Sequence, residues 1–169
     1  GDHGIAIMSQ REGLAFSTAI ESDAAPLNHL IYNVLDAAPH ARCFRDPTRG
    51  GLASTLNEFA AASGVDIYVD EDSIPVRPEV RGACEMLGYD VLQVANEGKM
   101  VAVVPADEAD AALAAMRSSR YGESAAIIGE VCEAASTRRD ARPTVRVRCG
   151  WGSTRVLDML VGEQLPRIC

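Results

Sequence analysis

ARCFRDPTRGGLASTLNEFAAASG, residues 41–64, is the stretch that decides the fold class, because a strand pattern passes within it directly into a helix pattern. Residues 41–45 predict a short strand. After two glycines, apolar residues recur at helical spacing, at Leu52, Leu56, Phe59 and Ala60. Gly64 predicts the end of the helix, since glycine readily adopts the left-handed conformation that terminates many helices. The stretch therefore predicts a strand, a turn and a helix, followed at once by a strand at residues 65–69.

Similar patterns extend in both directions from this unit. Further strands are predicted at residues 5–8, 91–95, 100–104, 125–131 and 144–149. Further helices are predicted after Pro26, from Pro78 to Leu87 and over residues 107–117. Strands and helices alternate irregularly, which predicts a layered α/β domain with a mixed sheet. No GxGxxG motif follows the first predicted strand, so a dinucleotide-binding fold is not expected.

Composition excludes several classes of function. The chain of 169 residues has 16 Lys and Arg against 24 Asp and Glu, a formal charge of -8, so we expect no nucleic-acid partner. No apolar run reaches the ~18 to 20 residues that span a bilayer, so we expect no membrane partner. The five cysteines are scattered and form no CxxC pair, which predicts no metal site and fits a reducing, cytoplasmic location.

The turn before the central helix is the first candidate for chemistry. Helix N-termini favour anions, the glycines allow close approach to the backbone, and arginines add charged donors. The candidate phosphate-binding residues are Arg45, Asp46, Thr48, Arg49, Gly50 and Gly51. The alternative is a tight turn in which Asp46 or Thr48 caps the helix.

The segment Asn96-Glu97-Gly98-Lys99 is the second candidate, because it is a polar break between two apolar runs. Glu97 is a general base if it is partly desolvated, since burial raises the pKa of a carboxylate. The alternative is a hairpin turn in which Gly98 supplies a positive φ.

The C-terminal tail is the third candidate. Cys169 follows Leu165-Pro166-Arg167-Ile168, and an exposed terminal thiol is an oxidation hazard unless it has a purpose. Nine residues from Val161 reach about 30 Å when extended, enough to carry a sulfur between two sites. The alternative is a structural end without chemical function.

Five segments, taken in order, resemble the HypE family of hydrogenase maturation proteins, which belongs to the superfamily of aminoimidazole ribonucleotide synthase. The segments are GDHGIAIM (1–8), ESDAAPL (21–27), RDPTRGGLA (45–53), ANEGK (95–99) and LPRIC (165–169). The resemblance implies a three-layer α/β/α domain with a mixed sheet over residues 1–160 and a flexible tail over 161–169. It also implies that an N-terminal ATP-binding domain is absent from this chain.

The same resemblance implies a reaction. A HypF-type carbamoyltransferase loads Cys169, ATP drives dehydration of the carbamoyl group to a thiocyanate with Glu97 as base, and cyanide passes to iron on a HypC–HypD complex. ATP and Mg²⁺ are expected mostly on the missing domain, so the isolated domain is expected to be inactive. The full-length protein is expected to be a homodimer. The alternatives are another ATP-using enzyme of the superfamily, such as a selenophosphate synthetase, or a non-catalytic docking module.

Overall fold

The computed structural model describes residues 1–13, 20–134, 142–150 and 152–159. Its helices are α1 (Asp2–Glu12), α2 (Asn28–Ala37), α3 (Gly51–Ser63), α4 (Pro78–Leu87) and α5 (Ala109–Arg117). Its strands are β1 (Cys43–Arg45), β2 (Val65–Asp70), β3 (Val101–Val103), β4 (Gly129–Glu133), β5 (Val145–Arg148) and β6 (Thr154–Val156). In this part of the chain, no helix combines the length and apolar character that crossing a bilayer requires.

The larger sheet is mixed, as the sequence predicted. Its strand order is β4-β2-β5-β6, and β2 runs parallel to β5 but antiparallel to β4. β6 pairs antiparallel with β5. A smaller antiparallel sheet joins β1 to β3. The helices and the mixed sheet confirm the predicted α/β class.

The main core lies between α3 and one face of the larger sheet. Asp66 of β2 is buried on one face of the strand, and Ile67 and Val69 face the core on the other. They pack with Ala53, Leu56, Ala60, Val145, Val147 and Leu157. Complete burial of one such aliphatic side chain contributes about 1.5–3 kcal/mol. This packing holds the first turn of α3 in a fixed position relative to the sheet.

The prediction of a strand at residues 5–8 is wrong, because these residues lie within α1. Ile5 and Met8 are both buried and pack against Val80 and Cys84 of α4. Their separation of three positions places them on one helix face. A run of four apolar residues does not distinguish a strand from a buried helical turn, so tertiary contacts decided the outcome.

The prediction of a strand at residues 91–95 is also wrong. Val91–Gln93 forms a 3-10 helix, whose first turn is capped by the Asp90 side chain accepting a hydrogen bond from the Leu92 amide at 3.0 Å. The apolar residues here are buried on several sides rather than on one face. The predicted helices α2 to α5 and the strands β1, β2, β3 and β5 are confirmed, and the predicted strand at 125–131 begins only at Gly129.

Candidate functional site

Asn96 joins the segments that the sequence singled out. Its backbone N–H and its side-chain amide both donate to the carbonyl of Pro47, at 3.1 and 3.2 Å. The same amide donates to the carbonyl of Val94 at 3.2 Å, and its oxygen accepts from the nitrogen of Gly1 at 2.5 Å. Asn96 is 5% exposed, so these bonds are shielded from water. The start of α1, the turn before α3 and the segment 96–99 therefore meet at one place.

The turn before α3 is held by its backbone rather than by a side-chain cap. Gly50 is the N-cap, with φ 74, and no side chain caps the helix, so the expectation that Asp46 or Thr48 would do so is wrong. Gly51 has φ 60, and a Cβ there would lie 2.6 and 2.7 Å from the carbonyl oxygens of Leu92 and Val94. Glycine is required at position 51 because another part of the backbone packs directly against it.

The two arginines of the turn differ in their partners. Arg45 pairs with Glu58 of α3, with Nη2 and Oε2 2.8 Å apart. Arg49 is exposed and makes no ion pair with any residue that the structure describes. No acidic residue lies in the first turn of α3. The uncapped amides of this turn and the Arg49 guanidinium form a positive end to the helix that suits an anion.

The segment 96–99 is not a hairpin turn. Gly98 has no positive φ, and a Cβ there would lie 1.5 Å from the carbonyl oxygen of Asp23. The backbone N–H of Glu97 donates to Asp23 Oδ1 at 3.1 Å. The Glu97 side chain is partly buried. Contacts with the loop that precedes α2 therefore fix the backbone of the segment that carries the predicted base.

Lys99 connects two carboxylates beside Glu97. Its Nζ lies 2.5 Å from Asp2 Oδ2 and 2.6 Å from Asp23 Oδ2. Arg77 Nε also donates to Asp2, and Arg77 Nη2 donates to the carbonyl of Glu21 at 3.1 Å. The Asp2 and Asp23 side chains are only 8% and 12% exposed, so each carboxylate is partly desolvated and paired with a cation.

This pairing sets the protonation state of both acids. Burial by itself would raise the pKa of the Asp2 and Asp23 carboxyls. Hydrogen bonds from Lys99 and its charge outweigh burial, and the pKa of each lies below its usual value. Sequence reasoning missed Asp23 and Lys99 as site residues. One available signal was composition, since Lys99 is the only lysine among the 16 Lys and Arg.

The last described residues are anchored near the same turn. Leu157 is 1% exposed, and its N–H donates to the carbonyl of Val145 at 2.8 Å. Asn57 of α3 donates to the carbonyl of Leu157 at 2.8 Å, and Gln93 donates to that of Asp158 at 3.5 Å. The predicted tail, residues 161–169, with Cys169 at its end, lies outside the described residues. Leu157 and Asp158, which precede it in the chain, are held against α3 and against Gln93.

An apolar groove of about 690 Å³ adjoins the site, and its lining includes Asn96, Gly98 and Lys99. Most of the lining is aliphatic and comes from β3, from α5 and from the chain leading into β4. In the described ranges, no group of three or more His, Cys, Asp or Glu side chains is placed to hold a metal ion.

A model of the family described as AIR synthase related protein, C-terminal domain, matches residues 1–141. The chain belongs to this AIR synthase related family. The site described above lies within the matched range, and so do four of the five segments that suggested the resemblance.

Within the AIR synthase related family, the chain is similar to HypE proteins over its whole length, which confirms the resemblance. It is 54% identical over 169 residues to the carbamoyl dehydratase HypE of Cupriavidus necator, covering 100% of this chain and 46% of the relative. A crystal structure of HypE in complex with ATP matches with a TM-score of 0.91 at 45% identity, covering 100% of this chain and 50% of that chain. A crystal structure of a HypE–HypF complex matches with a TM-score of 0.87 at 44% identity, covering 95% and 50%. The chain spans about half the length of the relatives it matches.

Proposed function

We propose that this domain is part of an ATP-dependent carbamoyl dehydratase that makes the cyanide ligand of [NiFe] hydrogenases. The observation that carries the proposal is the 54% identity to a carbamoyl dehydratase over all 169 residues. In this function the sulfur of Cys169 carries a carbamoyl group that is dehydrated to a thiocyanate. The activity belongs to a longer protein, and the isolated domain hydrolyses no ATP.

The chemistry assigns separate roles to the thiol and to the base. The Cys169 sulfur is bonded to the carbon of a carboxamide, whose oxygen is a poor leaving group until it has been phosphorylated. As the C–O bond breaks and phosphate departs, the nitrogen loses its protons, and the electron pairs of both N–H bonds complete the C≡N triple bond. Glu97 accepts these protons one at a time and passes the first to solvent water before it accepts the second. A positioned carboxylate accelerates the ionisation of a weakly acidic N–H.

The turn before α3 fits the phosphates of a nucleotide. Its amides, which no side chain caps, supply donors. Arg49, which forms no ion pair with a described residue, supplies positive charge, and no carboxylate in the first turn opposes it. The proposed phosphate-binding residues are Arg45, Asp46, Thr48, Arg49, Gly50 and Gly51. Among them, the Arg49 guanidinium supplies the charge for the anion. ATP supplies the phosphoryl group, and Mg²⁺ neutralises phosphate charge when bound. The ATP complex of the HypE relative supports ATP as the nucleotide.

Two partners are required by the carrier role of Cys169. A HypF-type carbamoyltransferase delivers the carbamoyl group, and the solved HypE–HypF complex of relatives supports this step. The cyanide then passes to iron held by a HypC–HypD complex. We place the full-length protein in the cytoplasm as a homodimer.

The variant Glu97→Gln in the full-length protein tests the proposal. With carbamoyltransferase, carbamoyl phosphate and ATP, it is expected to accumulate carbamoylated Cys169 without the further loss of the elements of water, because a neutral amide cannot accept the proton. Mass spectrometry of the C-terminal peptide measures both steps.

The matched control is Glu85→Gln, since Glu85 is exposed on α4, and it should dehydrate the carbamoyl group as the wild type does. Cys169→Ser should take up no carbamoyl group, whereas Cys132→Ser should load normally. Normal dehydration by Glu97→Gln would remove the base from the mechanism. A wild-type Cys169 that is never carbamoylated would overturn the proposed function itself.

A further inference from the structure

Asp23 binds both ends of the short segment that carries the predicted base. Its Oδ1 accepts the backbone N–H of Glu97 at 3.1 Å, and its Oδ2 lies 2.6 Å from the Nζ of Lys99. One carboxylate therefore contacts residues on either side of Gly98. We propose that Asp23 is a positioning residue for Glu97, and this inference rests on the proposed function.

The carboxylate of Asp23 is itself held in place. Lys99 also binds Asp2 at 2.5 Å, and Asp2 receives a further bond from Arg77. Lys99 and Arg77 thus connect to the carboxylates of Asp2 and Asp23, which are both largely buried, and Arg77 also lies 3.8 Å from Glu79. Buried charges that are paired and hydrogen-bonded have few alternative arrangements, because any other arrangement leaves a charge without a partner. The Asp23 carboxylate therefore has a fixed position, and the loop that carries Glu97 is hydrogen-bonded to it.

Steric contact restricts the segment further. A Cβ on Gly98 would lie 1.5 Å from the carbonyl oxygen of Asp23 and 3.0 Å from the nitrogen of Ala25. The two backbones are therefore in direct contact, which leaves the Glu97–Gly98 peptide little freedom to rotate. The direction in which the Glu97 side chain leaves the backbone follows from the orientation of this peptide.

Glu97 needs such a positioning contact because the backbone around it is irregular. The residue lies between the 3-10 helix Val91–Gln93 and β3, so no helical or strand ladder orients it. A general base must lie within hydrogen-bonding distance, about 2.6–3.2 Å, of the atom whose proton it accepts. Displacement of a reacting group by about 1 Å can cost about 100-fold in rate. The hydrogen bond that the Glu97 amide donates to Asp23 constrains the position of Glu97 where secondary structure does not.

Three substitutions separate positioning from a purely charge-balancing role. Asp23→Asn leaves one oxygen for two donors, and because the Lys99 ammonium takes that oxygen, the Glu97 amide loses its acceptor. Asp2→Asn removes the same charge from beside Lys99 without touching the Glu97 amide. Asp23→Glu keeps the charge for Lys99 but adds a methylene that displaces the acceptor from the Glu97 amide. The measurement is the single-turnover rate of dehydration of carbamoylated Cys169 in the full-length protein, together with the KM for ATP.

Positioning predicts that Asp23→Asn and Asp23→Glu both dehydrate about 100-fold more slowly than the wild type, with an unchanged KM for ATP and unchanged carbamoylation, whereas Asp2→Asn is slowed much less. The control pair Asp36→Asn and Asp36→Glu, on the exposed face of α2, should change neither rate. Equal slowing by Asp23→Asn and Asp2→Asn, or a wild-type rate in Asp23→Glu, would overturn the inference. A wild type that fails to dehydrate would instead count against the proposed function, so the two failures are distinguishable.

Discussion

Lys99 is the residue around which the charged part of the site is organised. Its ammonium group contacts the carboxylates of Asp2 and Asp23, which come from segments far apart in the sequence. Lysine is a compact charge with several donors, so it can bond to two acceptors at once. Because Asp23 also accepts from the Glu97 amide, the same contacts that stabilise the domain orient the predicted base.

The depressed pKa values of Asp2 and Asp23 predict how stability depends on pH. A carboxyl whose pKa is lower in the folded state stabilises the fold when ionised, and this contribution is complete above its unfolded pKa of about 3.9. It is lost as the pH falls through the lower folded pKa. Asp23→Asn removes one such contribution. Urea unfolding should therefore show that the wild type is more stable than Asp23→Asn at neutral pH and that this difference shrinks below about pH 4.

Asp36→Asn is the control for this titration, because Asp36 is exposed and forms no ion pair within the described ranges. Its unfolding free energy should differ from the wild type by no more than about 0.5 kcal/mol at any pH. A gap between wild type and Asp23→Asn that stayed constant down to strongly acidic pH would contradict the assigned direction of the pKa shift.

The elements that sequence patterns predicted well are those whose apolar residues face one side. α3 ends at Ser63 before a left-handed Gly64, as expected. β2 places Ile67 and Val69 on one buried face, as expected, but Asp66 on its other face is buried as well. α1 and the 3-10 helix Val91–Gln93 were both predicted as strands. Their apolar residues contact several elements at once, and periodicity over four or five residues does not reveal that arrangement.

The contact between the start of α3 and the 3-10 helix predicts an unequal response to alanine. Gly64→Ala forces a left-handed alanine into open space, at a cost of about 1–2 kcal/mol. Gly51→Ala has the same conformational cost, but its Cβ would also lie 2.6–2.8 Å from backbone atoms of residues 92–94. Overpacking of this kind adds about 1–3 kcal/mol.

Urea unfolding of both variants measures the difference between them. Gly51→Ala should lose more stability than Gly64→Ala by the amount due to overpacking. Equal losses would show that the segment 92–94 moves away from α3 without cost, and the close approach at this turn would then have no energetic importance.

At the scale of the whole molecule, the core packing leaves an apolar groove open to solvent. It has a volume of about 690 Å³, and Ile127, which lines it, is 49% exposed. Exposed apolar surface binds dyes whose fluorescence increases in an apolar environment. The folded chain should therefore enhance the fluorescence of anilinonaphthalenesulfonate, and Ile127→Asp should weaken that binding.

Met86→Asp provides the comparison for this experiment. Met86 is 70% exposed on α4 but does not line the groove, so its substitution should leave dye binding unchanged. An equal reduction by both variants would show that the dye binds elsewhere on the surface.

The sequence by itself determined the α/β class, most elements, the resemblance to HypE and the positions of Glu97 and the Gly50–Gly51 turn, because these depend on local periodicity and on short contiguous motifs. Tertiary structure alone decided that Gly1, Pro47 and Asn96 meet. It also decided that Lys99 is shared by carboxylates 76 and 97 positions away. Hydrophobic periodicity does not reveal a contact between residues so distant in the sequence. Such a contact arises when helices and strands pack together, and each helix or strand would show the same local pattern without it.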